Sequence, residues 1–153
     1  MSAIAKRLSE LSLSLPVPPA PVASYVGTVI SGKQLFVSGQ LPFDNGALVK
    51  GHLGGDVTLE QGQAAARLCA IALLAQASAA LGGDLDRISR VVKLTGFVSA
   101  TSDFTDHPKV VNGASDLMVA VFGDKGKHAR AAVGVSSLPL GAAVEVEAVF
   151  EIE

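Results

Sequence analysis

The chain has 153 residues, of which 49% are apolar and 17% charged, and its formal net charge is −2. These values exclude a disordered protein and favour one globular domain over residues 1–153, with an N-terminal extension over residues 1–21. The lack of any lysine or arginine run disfavours nucleic-acid binding, and the single cysteine excludes an internal disulfide or a cysteine-cluster metal site.

The first third of the chain predicts a short helix, an extended connector and a hairpin. Apolar residues recur at helical spacing from Ser2 to Ser14, and the four prolines of "LPVPPAPVAS" end that helix. β-prone runs at Tyr25–Ile30 and Gln34–Ser38, joined by a glycine-containing turn, predict a hairpin. A turn-rich stretch then precedes a short predicted strand at Leu48–Lys50.

The middle of the chain predicts one long helix. Thr58, with Gln61 three residues later, has the pattern of a capping box, and the two glycines after Leu81 end the helix. The helix is apolar on most sides but carries Arg67, so a core helix is expected and not a membrane span. A start of the chain unlike a secretory signal makes a cytoplasmic protein the default expectation.

A long strand and a second helix follow. The stretch "ISRVVKLTGFVS", residues 88–99, predicts a strand with Ile88, Val92, Leu94 and Val98 on one face. Asp103 or Asp106 then opens a helix over residues 108–122 that ends at a glycine.

Two strands, near 129–137 and 143–153, complete the chain. In the last one, valine, alanine, phenylalanine and isoleucine alternate with polar positions that are mostly glutamate, so the apolar set is expected to face the helices. Two helices and a few strands predict an α+β two-layer sandwich with both helices on one face of the sheet. The other face must be polar or meet a partner, and the apolar composition favours self-association.

Arg130 stands at the head of the first of these two strands, where Ala132, Gly134 and Ser136 share its face. Small neighbours leave a hollow beside a guanidinium group, whose planar fork can hold a carboxylate by two hydrogen bonds. The alternative is an ion pair between Arg130 and a C-terminal glutamate, and on these residues alone that is the commoner arrangement.

Three further residues are candidates. Glu145 begins the glutamate face, and it could orient a water molecule or relay a proton, or be solvated like its neighbours. Tyr25 is the only tyrosine, and structural packing is its commoner role. Ser38 is followed by a glycine that permits close backbone approach.

The histidines and the cysteine predict no metal site. His52, His107 and His128 are not spaced as a ligand cluster, and Cys69 lies mid-helix, where a small core residue is expected. His107, which precedes a proline at a helix start, is expected to be structural. His128 shares the face of Arg130 if their strand starts early, which makes a functional role a weaker option.

Three stretches together resemble the RidA (YjgF-like) family of reactive-imine deaminases over residues 22–153. They are "YVGTVISGKQLFVSGQLP", "LGGDLDRISRVVKLTGFVS" and "ARAAVGVSSLPLGAAVEVEAVFEIE". The most specific part is the R-x-x-V-x-V-x-x-L-P-x-G-x-x-V-E-V-E run at the C-terminus. The resemblance implies a chorismate-mutase-like sandwich, a homotrimer with an inner barrel, and sites in the clefts between subunits.

The resemblance also implies a reaction and residue roles. The reaction is hydrolysis of a 2-imino acid or enamine to a 2-keto acid and ammonia, without a cofactor. Arg130 would grip the substrate carboxylate and Glu145 would position the attacking water. The residues expected to line the site are Tyr25, Ser38, Ala132 and Asn112.

The sequence departs from the family pattern in three places. Ala132 stands where the better-known deaminases have a cysteine, though a backbone amide there can still line the site. The segment before the second helix is longer, so Ser115 is an alternative to Asn112. The N-terminus is extended, which suggests a divergent subgroup. The alternative functions are a non-catalytic binder of small carboxylates and a ribonuclease, and the acidic balance disfavours the latter.

Overall fold

The computed structural model describes residues 2–153, which form three α-helices and seven strands. The helices are α1 (Ala3–Glu10), α2 (Leu59–Ala80) and α3 (His107–Phe122). The strands are β1 (Thr28–Ser31), β2 (Gln34–Gln40), β3 (Phe43–Asp44), β4 (Ala47–Leu48), β5 (Ile88–Ser99), β6 (Ala129–Val135) and β7 (Val144–Ile152).

Five of the strands form one mixed sheet in the order β1-β2-β7-β5-β6. Only β5 and β6 pair in parallel, and α3 is the crossover helix between them. Helices α2 and α3 pack on each other and on one face of this sheet, and their buried residues join those of the strands in one core cluster. The predicted α+β two-layer sandwich is therefore confirmed. Strands β3 and β4 form a separate small hairpin.

The central strand β7 separates the two faces of the sheet. The residues at its alternate positions are 0–4% exposed and face the helices, namely Val144, Val146, Ala148, Phe150 and Ile152. The glutamates between them point the other way, as the alternating pattern predicts.

Helix α2 begins and ends as its sequence predicts. The side chain of Thr58 accepts a hydrogen bond from the Gln61 amide at 3.2 Å, and the Gln61 side chain accepts one from the Thr58 amide at 2.9 Å. After the helix, Gly82 and Gly83 adopt φ values of +64° and +89°, which favour glycine. Within residues 2–153, α2 is the one helix long and apolar enough to cross a membrane. Its buried residues pack in the protein core, as expected.

Helix α1 lies against the C-terminal end of α3. The amides of Ala3 and Ile4 donate to the carboxylate of Asp86, at 3.0 and 2.9 Å, and hold the pKa of that carboxyl below its usual value, the Ile4 bond most strongly. Arg7 Nε donates to the carbonyl of Ala120 at 2.7 Å. Helix α1 is thus fixed to α3 and to the turn before β5.

One strand-face prediction is wrong. Val91, and not Val92, is buried with Ile88, Leu94 and Val98. The pairing of β5 with β7 shifts register twice near its start, and each shift inserts one extra residue. Strict alternation therefore fails over this part of the strand.

The predicted start of the first strand, at Tyr25, is also wrong. Strand β1 begins at Thr28, so Tyr25 lies outside it, in an irregular segment. The regular pairing of β2 with β7 is itself interrupted between Val37 and Gln40, and the Ser38 hydroxyl donates a hydrogen bond to the backbone of the segment before β1.

Of the two aspartates predicted to open α3, Asp106 occupies the N-cap position, but its side chain makes no capping hydrogen bond.

We predict that Gly113→Ala destabilises the protein although alanine is the better helix former by about 1 kcal/mol. A Cβ atom on Gly113 would clash with the backbone carbonyl of Gln63, where α3 crosses α2. The expected loss is about 1–3 kcal/mol in the free energy of unfolding, measured by urea denaturation. Asp116→Ala, at an exposed position of the same helix, should change little. A higher stability of Gly113→Ala would contradict this close packing.

Candidate functional site

Arg130 lies on the helix-facing side of the edge strand β6. Its register partner on β5 is Leu94, which is fully buried under the helices, and the partner of Ala132 is Gly96. Arg130 and Ala132 therefore face α3, and both are half-buried. The hollow predicted beside Arg130 therefore lies between the edge strand β6 and helix α3.

Two side chains of α3 hold the Arg130 guanidinium. Nη1 donates to Asn112 Oδ1 at 2.8 Å and to Ser115 Oγ at 3.1 Å. These residues are three apart on α3, so both lie on the helix face that looks onto β6. The sequence leaves Asn112 and Ser115 as alternatives, and the structure brings both to Arg130.

The alternative prediction, an ion pair between Arg130 and a C-terminal glutamate, is wrong within this protomer. No ion pair within residues 2–153 involves Arg130. The glutamates of β7 project from the opposite face of the sheet, so they cannot reach it.

One edge of the Arg130 guanidinium remains open. Its two Nη1 hydrogens are used by Asn112 and Ser115, whereas Nε and Nη2 make no hydrogen bond within residues 2–153. No side-chain nitrogen in that part of the chain is both buried and without a partner, so Nε and Nη2 reach solvent. Their parallel N–H bonds form the fork that binds a carboxylate in two-point fashion.

Glu145 lies on the open face of the sheet. Glu145 of β7 pairs with Phe97 of the neighbouring strand β5. Its carboxylate packs so closely against Gly39 that a Cβ atom on Gly39 would clash with Glu145 Oε1. Partial burial, followed by the charge of Glu147, raises the pKa of Glu145 above its usual value. A carboxylate of raised pKa is a better proton acceptor than an ordinary one.

Ser38 and the segment that carries Tyr25 lie near Glu145. Ser38 Oγ donates to the carbonyl of Val26 at 2.7 Å, and its amide donates to the carbonyl of Gly27 at 2.9 Å. These bonds fix the segment that carries Tyr25, whose side chain is 58% exposed. Ser38 thus positions the backbone beside Glu145, and its hydroxyl proton is already committed.

The predicted site residues therefore form two groups on opposite faces of one sheet. The arginine group, on the helix side, is Arg130, Ala132, Asn112 and Ser115. The glutamate group, on the open side, is Glu145, Ser38 and the segment of Tyr25. Strands β6 and β7 are two positions apart, about 10 Å, so one small ligand cannot touch both groups of a single protomer.

The open face of the sheet is neither wholly polar nor covered in this protomer. Val29, Phe36 and Val133 are 52%, 42% and 44% exposed there. A shallow cavity of about 350 Å³ lies between Val29, Phe36 and the polar side chains of Lys93 and Glu147. Val29 and Phe36 are paired neighbours on β1 and β2, and a contiguous exposed apolar patch with a polar rim is typical of a surface that meets another chain.

His128 is the contact that sequence reasoning undervalued. Its Nε2 lies 2.8 Å from Ser115 Oγ, and its Nδ1 lies 2.6 Å from the carbonyl oxygen of Gly126. The only signal in the sequence is its position two residues before Arg130. By contrast, His107 packs over Gly134 and edge-on to Phe104, which fits its expected structural role.

The remaining reactive groups suggest no other centre. Cys69 is fully buried, and burial raises the pKa of its thiol, which suits a core residue. Among residues 2–153, no three histidine, cysteine, aspartate or glutamate side chains converge as metal ligands would.

Comparison with known proteins places this geometry in a family context. Residues 5–152 match the family model "YjgF/chorismate mutase-like, putative endoribonuclease". Protein TCP17 of Trypanosoma cruzi is 53% identical over 97% of this chain and 94% of its own. A 2-iminobutanoate/2-iminopropanoate deaminase of Dermatophagoides farinae is 30% identical over 92% of this chain and 95% of its own. The crystal structure of Atu1372 from Agrobacterium tumefaciens superposes with a TM-score of 0.92, at 50% identity, and covers 99% of this chain and 93% of that one.

We predict that Glu145→Gln stabilises the protein at pH 7. Because the folded state raises the pKa of Glu145, the charged form is disfavoured on folding, and this cost appears as the pH rises above the unfolded value. The gain from glutamine should therefore be present at pH 7 and vanish near pH 4, as measured by urea denaturation at equal protomer concentration. Glu147→Gln, which removes only the neighbouring charge, should give a smaller gain of the same sign. A gain that grows as the pH falls would contradict the raised pKa.

Proposed function

The chain belongs to the YjgF/RidA family, and from that premise we propose that it hydrolyses reactive 2-imino and enamine acids to 2-keto acids and ammonia. The observation that carries this proposal is the open Nε–Nη2 edge of Arg130, whose other nitrogen is held by Asn112 and Ser115. A guanidinium fixed on one side and open on the other is suited to a small carboxylate.

The arginine group supplies binding and orientation. The carboxylate of a 2-imino acid would receive two hydrogen bonds from Nε and Nη2, which fixes the plane of the adjoining C=N bond. The side chain of the substrate would then extend over Ala132, which offers a methyl group where the family deaminases have a cysteine. We propose that the backbone amide at this position lines the site, as the family pattern implies.

The glutamate group supplies the proton chemistry. Water attacks the imine carbon while Glu145 takes one of its protons, and Glu145 passes that proton to the imine nitrogen to give a carbinolamine. Glu145 then takes the hydroxyl proton and passes it to the amine nitrogen, so the carbon–nitrogen bond breaks, ammonia leaves and the carbonyl forms. The raised pKa of Glu145 suits a group that accepts a proton in one step and returns it in the next. The balanced reaction consumes only water.

A complete site needs both groups at one substrate. Because they lie on opposite faces of the sheet, we propose that the arginine group of one protomer meets the glutamate group of another. The exposed apolar side chains of the open face support such an association. A homotrimer with one site in each cleft between subunits, as the family resemblance implies, fulfils this requirement.

We predict that Arg130→Ala abolishes deamination while leaving the fold and assembly intact. Loss of a two-point carboxylate contact is expected to lower kcat/KM by at least about 100-fold. The assay is keto-acid release from 2-iminobutanoate, generated in place by a threonine dehydratase. Arg67→Ala, at an exposed position of α2 away from the open face of the sheet, is the matched control and should retain full activity.

Two results would overturn parts of this proposal. Full activity of Arg130→Ala would remove Arg130 from the site. A folded protein that binds 2-ketobutyrate but never exceeds the uncatalysed rate would be a carboxylate-binding module and not a deaminase.

A further inference from the structure

The two hydrogen bonds of His128 decide where the proton of its neutral ring lies. Its Nδ1 is 2.6 Å from the carbonyl oxygen of Gly126, and a carbonyl can only accept, so Nδ1 carries a proton. In the neutral ring Nε2 is then an acceptor, and it lies 2.8 Å from Ser115 Oγ. The hydroxyl of Ser115 therefore donates its single proton to His128.

This arrangement decides what Ser115 can offer to Arg130. With its proton committed to His128, the Ser115 oxygen presents lone pairs to Arg130 Nη1, at 3.1 Å. A helical serine without such a partner can rotate and donate to the carbonyl four residues earlier in its own helix. That rotation would turn the hydroxyl away from the guanidinium.

The far end of the chain of hydrogen bonds is rigid. Gly126 is buried where the turn after α3 folds back on that helix, and a Cβ atom there would clash with the backbone carbonyl of Met118. The carbonyl of Gly126 is thus held by close backbone packing. Bonds run from Arg130 to Ser115, from Ser115 to His128, and from His128 to this fixed point.

We propose that His128 is a positioning residue for carboxylate binding, acting through Ser115 to fix the Arg130 guanidinium. We call the hydrogen bonds from Arg130 to Ser115 and from Ser115 to His128 the relay. Because the relay accepts the second Nη1 hydrogen, it prevents the guanidinium from rotating and keeps Nε and Nη2 facing the ligand. The proposal rests on the carboxylate role of Arg130 stated above. It adds a residue that never touches the ligand and lies outside the set of site residues implied by the family resemblance.

A matched pair of substitutions separates this role from simple packing. Glutamine at position 128 can extend an acceptor to the place of Nε2, whereas asparagine reaches only the place of Nδ1 and can serve Gly126 alone. The probe is 2-ketobutyrate, titrated calorimetrically. We expect H128N and S115A each to weaken binding roughly tenfold, as for loss of one charge-assisted hydrogen bond. H128Q should remain within about twofold of the unmodified protein.

A double variant tests the connection. If His128 acts through Ser115, S115A/H128N should bind no more weakly than S115A alone, because the relay is already broken. Independent losses that multiply to roughly a hundredfold would overturn the proposal, as would equal binding by H128N and the unmodified protein.

Nitrogen NMR gives a readout that needs no ligand. We expect a proton on Nδ1 and none on Nε2 of His128, and separate Nη1 and Nη2 signals for Arg130 that merge in H128N. A proton on Nε2, or separate signals that persist in H128N, would contradict the relay even if 2-ketobutyrate does not bind.

The two proposals fail differently. Absence of deamination, with the predicted variant pattern intact in binding or in the NMR spectra, would refute the proposed reaction and leave the relay standing. Normal deamination by H128N with unaltered binding would refute the relay and leave the reaction standing.

Discussion

The parallel pairing of β6 with β5 sets the geometry of the candidate site. Because Arg130 is paired with buried Leu94, its side chain must leave the sheet on the helix side. The same ladder pairs Phe97 with Val133, and Phe97 in turn pairs with Glu145 on β7, so Glu145 must leave on the other side. A shift of one residue between β5 and β6 would turn Arg130 to the open face and leave Glu145 where it is. The separation of cation and carboxylate is therefore a property of the sheet.

Close packing by two glycines puts α3 where Arg130 needs it. Gly113 lets the α3 backbone approach α2, and Gly96 leaves room on β5 for Val111 of α3. With the helix held between these contacts, Asn112 and Ser115 lie over the edge strand and meet the guanidinium. The segment that binds Arg130 is thus positioned by the core, and its precision comes from packing and not from a flexible loop.

The sequence predicted the parts of this fold that local patterns encode. Capping residues and glycines bounded α2, and the alternation in β7 identified the buried face. The bulged start of β5 was missed because an inserted residue leaves no mark in the composition. The opposite placement of Arg130 and Glu145 follows from sheet order and a parallel pairing, which no local pattern contains. His128 was undervalued because its partner, Ser115, lies in another element and is brought near only by the fold.

The central claim is that one functional site needs the arginine group of one protomer and the glutamate group of another. Subunit mixing tests it most directly: differently tagged Arg130→Ala and Glu145→Gln chains are co-expressed, mixed oligomers are isolated by both tags, and imine hydrolysis is measured. Each variant alone should be inactive, and the mixed oligomers should recover roughly a third of full activity, because each mixed trimer has one cleft that joins an intact arginine group to an intact glutamate group. Mixed oligomers as inactive as the separate variants would contradict a site shared between protomers.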